Sequence, residues 1–284
     1  MQLPVKLKLP ILEVVVAAFR LPVQMRSSLL PAIQWPLSLL VLLQVTGAFF
    51  GGAEAGEEAF FYIALFGLLG LVVTAMVAVP AHQIFIRGQL DEPGGGLRWT
   101  GRETGYFLWS IGLPLIVLVL ASLISMPLVA IALMTGVPIF ANLAVIIGLI
   151  AGIAVYGRFS MVLPRIALGQ KGGLRAAGQM AAGHYWRVGI IGVLFPLIIS
   201  LVPMVLQTAL GPIGVPVAVL VAIYFSVVQI AALALVYRWL QEFADPPDED
   251  RPEEEDDEAF GDDRYPDDAS SDKTEEDGRD RRDH

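Results

Sequence analysis

The sequence contains no cysteine in 284 residues. This excludes a disulfide framework and any metal site that is built on thiolates. It also lacks a serine nucleophile elbow, a phosphate-binding loop and a pair of carboxylates with catalytic spacing. We therefore expect no enzymatic activity, no cofactor, no bound metal and no nucleic-acid partner.

Charge is missing from six long apolar stretches, which contain no Asp, Glu, Lys or Arg. Each is close to or above the roughly 20 residues that a helix needs to cross the hydrocarbon core. The sequence therefore predicts an all-α fold, a polytopic transmembrane helical bundle with six spans, interfacial helices and a disordered acidic C-terminal tail. The predicted spans are residues 31–50, 59–80, 106–133, 138–157, 188–208 and 215–237.

The charges that are present divide the chain into unlike parts. Residues 1–243 hold 13 basic and 8 acidic residues, whereas residues 244–284 hold 6 basic and 20 acidic residues. Because the second part has too little apolar surface to offset the entropy of ordering, we expect it to be disordered. We predict a cytoplasmic N-terminal segment (1–30), a membrane domain (31–243) and an acidic cytoplasmic tail (244–284). Plain disorder is the favoured interpretation of this tail, and the alternatives are that it covers the basic loops transiently or attracts a basic protein partner.

All thirteen Lys and Arg residues before position 244 fall on one side of the six-span arrangement. The loops on the other side carry none, and the first of them carries only acidic charge, including Glu54. By the positive-inside rule, this predicts that both termini are cytoplasmic. Trp35, Trp99, Trp109, Trp186 and Trp239 are predicted near the same interface, where amphipathic rings are favoured.

Residues 11–21 form an amphipathic pattern with Pro10 before it and Pro22 after it. Ile11, Val15 and Phe19 share one broad apolar face. The pattern predicts either a helix that lies in the inner membrane surface or a short buried helix packed under the bundle.

Two basic connectors resemble each other. Residues 84–89 read Ile-Phe-Ile-Arg-Gly-Gln and residues 165–170 read Arg-Ile-Ala-Leu-Gly-Gln. Each is followed by Gly-Gly-Leu-Arg and by a span that contains proline. Two explanations of this similarity remain open. One is a parallel internal duplication, and the other is chance similarity between loops rich in Gly, Leu and Arg.

The connectors also carry a family resemblance. Residues 79–89 with His82, and residues 158–164 with the later residues 174–177 and Trp186, resemble signatures of uncharacterised bacterial six-span membrane proteins. These are similar to the glycerophosphoryl diester phosphodiesterase membrane-domain group. The resemblance covers about residues 10–240 and implies a bacterial inner-membrane protein, without active residues to carry over and without phosphodiesterase activity.

Basic side chains beside the membrane are candidates for contact with anionic lipid headgroups. Their alternative role is only to orient the helices. The candidates are Arg87, Arg98, Arg158, Arg165, Lys171, Arg175 and Arg187.

Two further sets of residues are candidates for a site or a seam. His82 and His184 occupy matching positions beside the inner interface, where hydrogen bonding is favoured over metal binding because no third ligand has suitable spacing. Gly70, and Gly148 with Gly152, place small residues on helix stripes that suit close packing within the chain or a homodimer seam.

Two functions remain open at this point. The favoured hypothesis is a non-enzymatic inner-membrane protein that organises lipid or protein partners, with membrane lipids as its principal contacts. The alternative is a permease for a small neutral or lipidic solute that uses proline-broken spans 3 and 5. A polar cavity that reaches the midplane between these spans favours transport, and a closed apolar core favours scaffolding.

Overall fold

The computed structural model describes residues 8–51, 57–91, 97, 99–170 and 173–243. In these residues the regular secondary structure is helical and no strand is present. The predicted acidic tail, Arg98 and Lys171 lie outside the described residues. The α-helices are α1 (Ile11–Gln24), α2 (Arg26–Gly51), α3 (Glu57–Arg87), α4 (Gly101–Thr135), α5 (Pro138–Phe159), α6 (Val162–Ala167), α7 (Leu174–Met180), α8 (Tyr185–Gly189), α9 (Phe195–Leu210) and α10 (Gly214–Phe243).

Six helical segments of the described chain are long and apolar enough to cross a membrane. This confirms the predicted fold class, a polytopic transmembrane helical bundle. Spans 1 to 4 are centred on α2, α3, α4 and α5, span 5 combines α8 and α9, and span 6 is α10. The segments are Arg26–Ala48, Phe60–Arg87, Gly101–Thr135, Pro138–Ala167, Tyr185–Leu210 and Gly214–Phe243.

The helices extend beyond the predicted spans mainly at one end of the bundle. The second span was predicted to end at residue 80, but α3 continues to Arg87, and α10 continues past residue 237 to Phe243. Helical hydrogen bonding does not stop where charged residues begin, so the backbone remains helical through the basic segments. We call this the Arg-rich end; it carries Arg87, Arg102, Arg158, Arg187 and Arg238.

Helix α1 packs against α10 rather than only lying on a surface. Val14 and Ala18 are buried, and the Phe19 ring meets the Phe195 ring edge-to-face at 5.8 Å. Tyr224 on α10 donates a hydrogen bond to the Phe19 carbonyl. The contacts show that α1 packs against the bundle, while its position in the membrane surface stays a prediction.

The predicted break in span 3 is absent, because α4 continues as one helix through Pro114 and Pro127. Each proline removes only one backbone donor, and a long transmembrane helix can absorb that loss. Span 5 does contain an irregularity. Residues Ile190–Leu194 form a π-helical turn just before Pro196.

Each of the two related connectors has a glycine in the left-handed conformation at or just after the end of its helix. Gly88 and Gly169 have φ values of 78° and 74°, the left-handed conformation that glycine adopts without a Cβ penalty. The Gly88 amide donates to Ile84 and the Gly169 amide donates to Ile166. The similar sequences of the two connectors thus share a left-handed glycine near the helix end, while internal duplication stays a prediction.

Candidate functional site

A cavity of about 940 Å³ lies between α4, α5 and span 5. Pro114 on α4 and Pro196 on α9 both line it. We call this cavity the proline groove. Its walls run from Trp109 near the Arg-rich end to Ala121 on α4, which lies well inside the span.

Small residues leave the space that forms the proline groove. Gly148 and Gly152 line it from α5, and Gly192 lines it from the π-helical turn. Gly192 packs against the Tyr156 ring so closely that a Cβ at this position would overlap the ring. A π turn often marks a functional position in a helix, because it inserts an extra residue into the regular spacing.

The polar groups of the groove are few and neutral. Ser110 and Ser200 line it, but each hydroxyl donates to a carbonyl of its own helix, at 2.8 and 2.7 Å. Tyr156 and Gln229 add a phenol and an amide. No Asp, Glu, Lys or Arg is among the residues that line it. Such a site suits an apolar molecule with a few hydrogen-bonding groups and offers no side-chain charge to an ion.

A second cavity, of about 460 Å³, lies between α2, α3, α9 and α10 in the half of the bundle away from the Arg-rich end. Gln44 and Gln207 contribute amides to it, and Pro203 forms part of its wall. Pro196 and Ser200 in the proline groove share one face of α9 with Pro203 and Gln207, because their spacings of four, three and four residues follow the helical repeat.

The Arg-rich end contains a charge cluster that joins two spans. Asp91 pairs with Arg87 at the end of α3 and, at 2.6 Å, with Arg102 at the start of α4. Burial alone would raise the pKa of Asp91, but hydrogen bonds and charge attraction from Arg87 and Arg102 outweigh it and hold that pKa below its ordinary value. The carboxylate therefore links α3 to α4 as an ion.

The end of α3 also holds the end of α6. The Gln83 amide donates to the Ala167 carbonyl at 2.9 Å, and Arg87 donates to the Leu168 carbonyl at 3.3 Å. The last carbonyls of a helix have no intrahelical donor, so these side chains supply one. The first connector thus caps the helix of the second.

The basic residues that the sequence groups together as candidate lipid contacts have different environments in the structure. Arg87 binds Asp91 and a carbonyl, and Arg187 donates to the Leu9 carbonyl at 2.6 Å. The Nε of Arg165 is buried and has no hydrogen-bond partner in the described residues. Arg158 and Arg175 are instead exposed.

The two candidate histidines make separate contacts. His82 is fully buried, and its Nε2 lies 3.4 Å from the hydroxyl of Tyr106. The His184 ring meets the edge of the Trp239 ring at 5.0 Å between centroids. Within the described part of the chain, no group of three His, Cys, Asp or Glu side chains is arranged to hold a metal.

The predicted small-residue stripes contact neighbouring helices of the same chain. A Cβ at Gly152 would lie 3.4 Å from Val117, one at Gly148 would lie 3.7 Å from Ser125, and one at Gly70 would lie 3.5 Å from Gln44. These are ordinary contact distances.

Sequence reasoning missed the closest helix approach and the caps of α6. Gly157 and Gly189 lie where span 4 meets span 5, and a Cβ on either would overlap the backbone of the other span. Gly157 lies five residues after Gly152, off the stripe of Ala144, Gly148 and Gly152, so the four-residue spacing of that stripe does not lead to it. Gln83 and Ala167 are 84 positions apart, and no local signal connects them.

No protein-family model, no curated protein and no solved structure matches the chain. The resemblance to the glycerophosphoryl diester phosphodiesterase membrane-domain group stays a prediction.

Proposed function

We propose that this chain is a non-enzymatic membrane protein that binds a lipidic molecule in the proline groove. The observation that carries the proposal is an open groove of about 940 Å³ between transmembrane helices, bounded by neutral residues and reaching well into the span. Concave, mostly apolar sites with a few polar groups are typical of small-molecule binding. The same groove offers no side-chain charge for an inorganic ion.

Exposure of the groove helices agrees with this assignment. In the most apolar part of span 3 no residue is buried, and in that of span 4 only 11% of the residues are buried within the chain. These helices therefore present apolar surface around the groove. A lipid chain can cover such a surface without leaving an apolar environment.

Filling the groove tests the proposal. Ser200→Trp and Leu197→Trp each place a large ring in the cavity, whereas Val205→Trp adds the same ring to a lipid-facing position on α9 that is 61% exposed. Native mass spectrometry of the purified chain should detect a retained lipid in the wild type and in Val205→Trp. Loss of that lipid only in the two groove variants supports the proposal, and equal retention in all four proteins refutes it.

Transport of the bound molecule is a second candidate function. The face of α9 that carries Pro196, Ser200, Pro203 and Gln207 lines cavities in both halves of the bundle. The π-helical turn at the start of this face supplies the irregular backbone that transporters use near their sites. A fluorescent phospholipid should then cross the bilayer of vesicles containing the wild type several times faster than that of vesicles containing Ser200→Trp. Equal crossing rates in the two kinds of vesicle would contradict transport and leave only the proposal that the groove binds a lipid.

We further propose that both termini face the cytoplasm of a bacterial inner membrane. The positive-inside distribution supports this orientation, since Arg87, Arg102 and Arg158 lie at one end of the bundle. The bacterial assignment depends on the family resemblance. We also propose a basic protein partner for the acidic tail. The opposite charge of the two is the feature that supports it.

A further inference from the structure

A third cavity, of about 550 Å³, lies at the Arg-rich end on a different face of α5 from the proline groove. Leu120, Ala154 and Val155 form its apolar wall. Arg158 and Tyr185 lie on it with residues of α7 and of the following turn. We call it the Arg158 cavity.

The Arg158 side chain is held in place but keeps its charged group accessible. Its guanidinium carbon lies 5.8 Å from the centre of the Phe159 ring, which favours a cation. Across the cavity, a Cβ at Gly178 would lie 3.5 Å from the Arg158 Nε. Among the described residues no carboxylate pairs with Arg158, and its side chain is exposed.

The cavity is charged at one end and apolar at the other. Ala154 precedes Arg158 by one helical turn, so it lies roughly 6 Å further into the membrane along α5. Leu120 reaches the same wall from the middle of α4. A molecule that fills this cavity therefore needs an anionic group and an apolar chain, in that order from the Arg-rich end.

We propose that the Arg158 cavity binds an anionic phospholipid of the leaflet at the Arg-rich end. The guanidinium of Arg158 donates hydrogen bonds to the phosphate oxygens, and one acyl chain lies along Leu120 and Ala154. Among the described residues, no Asp or Glu lines the cavity, so none of them offers a carboxylate to the ammonium of a zwitterionic headgroup. This site does not depend on an occupant of the proline groove.

The test compares phosphatidylglycerol with phosphatidylcholine of identical acyl chains, each added to the purified full chain in neutral detergent and counted by native mass spectrometry. Arg158→Gln removes the charge. Arg238→Gln removes the same charge at the same end of the bundle, on α10 and away from the cavity. Ala154→Trp fills the apolar wall while leaving Arg158 in place.

We expect the wild type to prefer phosphatidylglycerol and Arg158→Gln to lose about fivefold in its affinity, the effect of one well-placed arginine near anionic lipid. Arg158→Lys should restore part of that affinity, Ala154→Trp should reduce it, and Arg238→Gln should leave it unchanged. Equal losses in Arg158→Gln and Arg238→Gln would show a general charge effect and overturn the proposal. So would equal binding of the two lipids by the wild type. Loss of affinity in Ser200→Trp, with none in Arg158→Gln, would show that the lipid binds in the proline groove instead.

Discussion

Gly157 on span 4 and Gly189 on span 5 approach so closely that a Cβ on Gly157 would lie 2.6 Å from the backbone nitrogen of Gly189. The same Cβ would overlap the Tyr185 carbonyl. Backbone atoms cannot move aside as a side chain can, so the crossing of these spans depends on both glycines. This contact fixes α8 against α5 beside both the proline groove and the Arg158 cavity.

Gly157→Ala should therefore destabilise the bundle. Forcing a methyl group into this contact should cost about 1–3 kcal/mol or more, the range for overpacked interiors. The measurement is unfolding by sodium dodecyl sulfate in mixed micelles. Gly67→Ala is the matched control, because nothing lies within 4 Å of a Cβ at that helical glycine. Equal midpoints for the two variants would contradict the contact.

Gln83→Leu should weaken the contact between α3 and α6. It removes the donor to the Ala167 carbonyl in a buried position, and an unsatisfied buried polar group costs about 1–3 kcal/mol. Gln179→Leu, at an exposed position of α7, should change stability much less. The same micelle titration compares them, and an unaltered Gln83→Leu midpoint would show that this capping contributes nothing.

The Asp91 cluster predicts a dependence of stability on pH. Because the folded-state pKa of Asp91 is below its ordinary value, its ionised form stabilises the fold above that ordinary value. This contribution should decline as the pH falls toward the folded pKa and disappear below it. Asp91→Asn should lack this component. Thermal unfolding in detergent between about pH 2 and 7 measures the difference, and parallel pH profiles for the two proteins would refute the assignment.

The absence of cysteine makes the orientation directly measurable. Met134→Cys lies in the last turn of α4, next to the turn that leads to α5 and at the end opposite the arginines. Gln179→Cys lies on α7 at the Arg-rich end. In intact cells, a membrane-impermeant maleimide should label Met134→Cys, whereas Gln179→Cys should react only after the membrane is opened. The reverse pattern would place the Arg-rich end outside.

The spans were predictable because hydrophobic length and the absence of charge are local properties of a sequence. Helix ends at the Arg-rich end were less predictable, since α3 continues past residue 80 on backbone hydrogen bonding that hydropathy does not register. The fold of α1 was left open because its pattern suits a membrane surface as well as the α10 surface. The contacts of Phe19 with α9 and α10 show the packing of α1, which the pattern alone does not specify.

The cavities followed from the sequence only in part. Pro114 and Pro196 line the same cavity, although α4 is not broken, and a transport site between these two spans stays a prediction. The separate environments of the arginines could not be predicted, because Arg87 finds its carbonyl partner 81 positions away and Arg158 lies against Gly178 of α7. Such contacts are set by helix packing, which a single sequence does not encode locally.

The central claim is that a lipidic molecule occupies the proline groove, and photolabelling tests it most directly. Vesicles containing the wild-type chain and a phospholipid with a photoreactive acyl chain are irradiated, and the labelled residues are mapped by peptide mass spectrometry. The account predicts label concentrated at Val117, Gly152 and Leu197 and lost from them in Ser200→Trp. Label spread evenly over lipid-facing residues such as Val119 and Val205, with no change in Ser200→Trp, would contradict it.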